Sequence, residues 1–171
     1  MTDTTHRQTT VIAPDLNETV LKNTRPQVAA WLTEFVERNG GWCGSVHLAD
    51  SADPAGPERE LVLVAAHNLP VSVQNITTVI PFGKGMAGTA AQRRETVVIP
   101  DFQADTTGVA AVGGRPVRAR GSLAIPVFAT GDDTQLVAVV GLGFTERRDF
   151  TEAEVAAYER DAATVLTVSQ R

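Results

Sequence analysis

The chain has 171 residues, 43% of them hydrophobic, with 15 basic against 20 acidic side chains and a formal net charge of -5. That length suits one domain with a sizeable core, and an acidic balance without a long basic run excludes a protein that grips nucleic acid through its phosphates. Cys43 is the sole cysteine, which excludes an intrachain disulfide and a cysteine-built zinc site; His6, His47 and His67 lack ligand-type spacing, so neither metal nor cofactor is expected.

Residues 1–14 are polar and threonine-rich, lack the apolar core of a signal peptide, and read as a flexible N-terminal arm ahead of a single domain over 15–171. Asp15 to Asn23 carries Leu16, Val20 and Leu21 and reads as a first helical segment. A clearer helix follows, with Thr24 as its cap and Pro26 in its first turn. Val28, Trp31, Leu32, Phe35 and Val36 line one face of it before Gly40-Gly41 ends it. Trp31 and Phe35 give that helix more apolar surface than one sheet face needs, which predicts a homodimer. Residues 42–49 alternate, with Trp42, Gly44, Val46 and Leu48 on one face and Cys43, Ser45, His47 and Ala49 on the other. A loop over 50–58 with Pro54, Gly56 and Pro57 leads to a second strand at 60–67, giving a hairpin. Asn68-Leu69-Pro70 breaks that strand, and 71–77 is a short helix or turn.

Residues 78–82 run into Gly83-Lys84-Gly85-Met86-Ala87-Gly88. A helix starting near Lys84 or Gly85 leaves its first N–H groups without intrahelical partners, at the positive end of the helix dipole, and so suits an anion or a polar ligand edge. Gly83-x-Gly85-x-x-Gly88 also matches the dinucleotide fingerprint in form, with Asp101 near the acidic position that follows it. The flanks, however, read as strands joined by hairpins rather than as βαβ units, and a purely structural turn would use the same glycines. The helix runs to about Arg94, a short buried strand covers 96–100, and a loop over 101–121 is long enough to suggest a lid. Arg115, Arg118 and Arg120 make that loop locally positive, which suits closure of one of them over an anion.

Ser122 to Ala129 is a strand whose Pro126 points to an edge position or a bulge. A turn at 131–134 leads to a valine-rich strand over 135–144. Thr151 to Glu154 forms a capping box, with Phe150 and Val155 as a hydrophobic staple, for a last amphipathic helix. The longest apolar run, Leu136 to Phe144, falls far short of the ~20 residues a bilayer span needs, so no membrane association and a cytoplasmic location are expected.

The ordered set of first helix, hairpin, Gly-Lys-Gly-Met-Ala-Gly, Val-Val-Ile-Pro-Asp, long loop, Ser-Leu-Ala-Ile-Pro-Val, Leu-Val-Ala-Val-Val-Gly-Leu and Phe-Thr-x-x-Glu resembles a GAF domain over about residues 25–170. The resemblance implies an α+β fold. A central antiparallel sheet of five or six strands would carry the N- and C-terminal helices on one face, with the glycine-started helix and long loop over the ligand face. It also implies a free-standing, single-domain member whose signal passes to a separate signalling protein. The expected function is a non-catalytic sensor that binds a small polar or anionic molecule under the 101–121 loop. Its candidate ligand-binding residues are Ile80, Phe82, Gly85, Met86, Ala87, Asp101, Arg118, Ser122 and Trp42, with His47 or Val46 as further options for the floor. No catalytic or metal-binding residue is expected.

Free methionine-(R)-sulfoxide reductases are similar single-domain GAF proteins with a like Gly-Lys-Gly helix. Their chemistry needs a thiolate to attack the sulfoxide and further cysteines to resolve the oxidised sulfur. Here Ala87 stands at the helix position, the loop has no cysteine, and Leu123 stands where an acidic residue is expected after the loop serine. Cys43 reads as a buried, inert thiol away from the pocket. On these grounds the chain is expected not to be an enzyme. A ligand-free dimerisation scaffold is the remaining alternative. Bilin attachment lacks a suitably placed cysteine, and haem an axial ligand, because His47 and His67 lie on or beside strands.

Overall fold

The computed structural model describes residues 15–50, 59–109 and 117–169. The N-terminal arm, the loop with Pro54, Gly56 and Pro57, and Arg115 of the long loop lie outside the described residues. Helix α1 spans Glu18–Asn23, and Asn17 caps it by accepting from the Val20 N–H at 2.8 Å. Helix α2 spans Pro26–Arg38, and proline suits that first position because no intrahelical donor is needed there. Thr24 is not its cap. The Thr24 hydroxyl donates back to the Val20 carbonyl at 2.7 Å and closes α1, and Arg25 at the start of α2 does not cap it either, its guanidinium donating instead to the Ser169 carbonyl at 2.8 Å.

Strands β1 (Cys43–Ala49), β2 (Glu60–His67), β3 (Val79–Pro81), β4 (Val97–Ile99), β5 (Ser122–Ala129) and β6 (Asp132–Gly143) form one sheet in the order β3-β2-β1-β6-β5-β4. Every neighbouring pair is antiparallel. Helix α3 (Val71–Ile76) precedes β3, and α4 (Gly85–Arg93) joins β3 to β4 at the opposite edge. Among the described residues there is no parallel pair and so no βαβ unit, and the dinucleotide fingerprint is a match in letters only. Its glycines have a local cause. Gly83 and Gly85 take φ of 88° and 59°, and a Cβ on Gly88 would collide with the Pro81 carbonyl oxygen.

Strand β6 begins three residues before the expected start, because Asp132 already pairs with Ala129 across a tight turn at Gly131. Pro126 is not on an edge strand. It lies past the end of β4, which pairs no further along β5 than Ala124, and a register shift follows between Val127 and Phe128. The expected last helix is interrupted: α5 (Glu152–Ala162) passes through a 3-10 turn at Ala163–Val165 into α6 (Leu166–Ser169). The capping box is formed, with Thr151 and Glu154 exchanging side-chain-to-backbone bonds of 3.2 Å each way. Among the described residues no helix is long and apolar enough to cross a membrane.

Helices α2 and α5 cover one face of the sheet. Val28, Leu32, Phe35 and Val36 of α2 and Tyr158 and Ala162 of α5 pack on Val46, Leu123, Ile125, Ala138, Val140 and Leu142. The approach is close. A Cβ on Gly44 would lie 2.8 Å from Val36 Cγ2, so β1 has glycine under α2. Trp31 stacks on Phe35 at 4.9 Å, and its indole N–H donates to the Thr164 hydroxyl at 2.9 Å. Trp31 is 8% exposed and Phe35 fully buried, so the apolar surface from which a homodimer was expected is covered within the chain itself. Arg38 forks onto Asp161 with bonds of 2.6 to 3.0 Å and ties α2 to α5.

Candidate functional site

Residues directly opposite in antiparallel strands share a face. Across β1, β6 and β5 this makes two rows of small residues: Cys43, Gly143 and Ser122, then Ser45, Gly141 and Ala124. A third row, His47, Val139 and Pro126, borders them. All three rows turn away from α2 and α5. Because the floor is low, a cavity of about 300 Å³ remains above it. The glycines keep it so: a Cβ on Gly141 would sit 2.7 Å from Ser45 Oγ, and one on Gly143 2.8 Å from Cys43 Sγ.

Helix α3 and the residue after it contribute Val73, Ile76 and Thr77 to the walls. Strand β3 and the start of α4 give Val79, Ile80, Lys84, Gly85, Met86 and Ala87. The two described ends of the long loop add Phe102, Val117 and Ala119. Those ends are tied together: Gln103 Nε2 donates to the carbonyls of Val117 at 2.7 Å and Ala119 at 3.0 Å, and the Phe102 N–H to that of Arg120 at 2.7 Å. The lining is mostly apolar, and Lys84 is its one formally charged side chain among the described residues.

Five of the expected ligand-binding residues surround this cavity: Ile80, Gly85, Met86, Ala87 and Ser122. The other four stand elsewhere. Phe82 packs beside α4 with the Arg59 guanidinium 5.0 Å above its ring. Asp101 is held by Arg120 in an ion pair of 2.9 Å, which keeps its carboxyl below the usual range. Trp42 and Arg118 flank a separate recess with Asn68, Leu69 and Pro70. The cause is alternation: Val117 and Ala119 turn inward, so Arg118 and Arg120 turn out to solvent, where a guanidinium keeps its hydration. Trp42 likewise has the parity of Gly44 and Val46, which face α2.

The pocket-facing parity of β1 brings in Cys43, Ser45 and His47, and the expectation that Cys43 lies away from the pocket is corrected. The signal was in the sequence as small residues at alternate positions, Cys43-x-Ser45, Ser122-x-Ala124 and Gly141-x-Gly143. Which face held the cavity was not. Burial pushes the Cys43 thiol up to about 11 and the His47 imidazole down to about 4. His47 Nε2 lies 3.0 Å from the Thr77 carbonyl oxygen.

The GAF domain model matches residues 24–165, and the chain belongs to that family. No curated protein matches it by sequence. Among solved structures, it is similar to the type II free methionine-R-sulfoxide reductase from Thermoplasma acidophilum, at 14% identity and a TM-score of 0.63, over 85% of this chain and 92% of that one. The free methionine-R-sulfoxide reductase from Neisseria meningitidis in complex with its substrate gives 19% identity and a TM-score of 0.55, over 93% and 96%. The GAF domain/HD domain protein from Geobacter sulfurreducens gives 16% and 0.57, over 84% and 94%. These likenesses show the fold. They also overturn the expectation that the chain is not an enzyme, because the same frame is that of two reductases.

Proposed function

We propose that the chain is a small-molecule-binding GAF domain whose ligand seats above Ser45 and Gly141, roofed by α3, the start of α4 and the ends of the long loop. In this reading occupancy regulates a separate signalling protein. The observation that carries it is the cavity itself, about 300 Å³ that the side chains of the described residues leave unfilled. A thermal-shift screen of amino acids, oxo-acids, nucleotides, small aromatics and anions tests it. A ligand of the folded state stabilises it increasingly with ligand concentration, by about 2.7 kcal/mol at a hundredfold excess over Kd, and so raises Tm. A flat response across the screen overturns it.

Catalytic turnover in the same cavity is the second reading, favoured by the two reductase structures and by the thiol on the wall. The Cys43 thiolate would attack the sulfur of free methionine-(R)-sulfoxide. The oxygen passes to the cysteine as a sulfenic acid, methionine leaves, and an external dithiol restores the thiol through a mixed disulfide. A thiol held near 11 reacts slowly at neutral pH, so the bound substrate would have to stabilise the thiolate. Methionine release in the presence of dithiothreitol, abolished by Cys43→Ala, is the expected outcome; release no faster than in buffer removes this reading and leaves binding in place.

A further inference from the structure

The cavity offers a ligand few hydrogen-bonding groups, and its charge stands at its open side. Thr77 donates its hydroxyl to the Val73 carbonyl at 2.8 Å, and Ser122 donates to that of Arg120 at 3.3 Å. His47 holds Nε2 against the Thr77 carbonyl at 3.0 Å, and its Nδ1 is closed to solvent. Among the described residues this leaves the Ser45 hydroxyl and the Cys43 thiol as the remaining polar side-chain groups of the interior. Leu69, Val73, Ile80, Met86, Phe102 and Val117 make up much of the rest. A polar or charged body seated there would lose its hydration and find almost no partner. Ile76, Val79, Pro81 and Lys84 line the cavity and are also exposed, Ile76 at 58% and Val79 at 39%, so they mark its mouth. The Lys84 N–H donates to the Pro81 carbonyl at 3.1 Å, which folds Lys84 back beside the strand that carries Val79. Among the described residues Lys84 joins no ion pair and no carboxylate lines the cavity.

We propose that the cavity takes a monocarboxylic acid with a hydrocarbon body, one ring or a short chain, the body inside and the carboxylate at the mouth beside Lys84. The size follows from the volume, since about 300 Å³ is the lower end of the range for ligand pockets. The single charge follows from the single cation: a dianion would keep one charge unpaired, and an ammonium group would meet like charge. At the mouth the carboxylate stays in water while the flexible stem of Lys84 brings its ammonium to it. The proposal rests on the binding reading above and gives that site its ligand chemistry. It also separates the two uses of the cavity, because free methionine sulfoxide brings an ammonium for which the described wall has no carboxylate.

Titration calorimetry of the full chain with butanoate, pentanoate and hexanoate tests the body. Each added methylene is expected to tighten binding about fourfold, the scale of one buried CH₂. Hexanoate against hexan-1-ol tests the head. The ratio of their affinities is expected to fall about two- to fivefold in Lys84→Gln, the scale of an exposed ion pair, and to be kept in Lys84→Arg. Met86 is one of 2 methionines in the chain, so ¹³C-methyl labelling of methionine resolves it. Its resonance is expected to move with hexanoate, which places the alkyl body in the cavity without any substitution. Affinity that stays flat across the three acids, or a Met86 methyl that stays fixed as they bind, overturns the buried body. A ratio unchanged in Lys84→Gln overturns the assignment of the head. Failure of all the acids while another class in the broad screen stabilises the chain overturns this inference alone; failure of the whole screen overturns both.

Discussion

Val46, Val140 and Ile125 pair across three strands and are fully buried beneath α2 and α5. Ser45, Gly141 and Ala124, one residue earlier on β1 and β5 and one later on β6, pair across the same strands and floor a cavity. The backbone is shared, so side-chain bulk makes the difference. Branched residues on one face meet the branched and aromatic stripe of α2 at close-packed density, and side chains of at most two heavy atoms on the other leave a gap below α3 and α4. A face that packs tightly supplies stability, and a face that does not can supply binding.

The largest expected effect breaks the packed face. Phe35→Ala removes a fully buried ring that stacks on Trp31, and should cost about 3–5 kcal/mol in urea unfolding. A much smaller loss would mean that the helix layer is loosely packed, and the contrast between the faces would go with it.

Acid sharpens the comparison from the cavity side. Burial lowers the folded-state pKa of His47 from 6.5 to about 4. As pH falls through 6.5 the unfolded chain gains a proton that the folded chain refuses, so stability falls between about 6.5 and 4 and is flat, for this group, below that. The full difference is on the order of 3 kcal/mol, and His47→Leu should remove that slope from a plot of stability against pH.

Filling the hollow face is the next test. Gly141→Val places a branched side chain against Ser45, whose Oγ already lies 2.7 Å from a Cβ built there. It should cost about 1–3 kcal/mol by overpacking and abolish any ligand-induced rise in Tm; ligand response surviving this change would put the binding site elsewhere. The smallest effect lies at the edge of the packed layer, where Thr151→Ala removes the formed cap of α5 and should cost about 1 kcal/mol in thermal unfolding without altering ligand response.

Much of this architecture could be read from the chain in order. The i, i+3, i+4 stripe of α2, the alternation of β1, the capping box at Thr151 and the glycines before α4 are local patterns, each dictated by the period of the element that carries it. The GAF resemblance followed from their order. Half of the site was legible for the same reason, since Ile80, Gly85, Met86 and Ala87 belong to one continuous stretch. Arg118 and Trp42 were misleading because charge and aromaticity say nothing about parity. The alternation that turns Val117 and Ala119 inward turns Arg118 out.

The sequence alone therefore determined the elements, their order and two opposed sets of residues on the central strands. Only the tertiary structure decided which set faces the helices and which the cavity, because a strand's two-residue period distinguishes its faces without naming them. It also brought together Cys43, His47, Thr77 and Ser122, drawn from separate stretches of the chain, since antiparallel pairing and the return of α3 over the sheet are long-range contacts that no local pattern encodes.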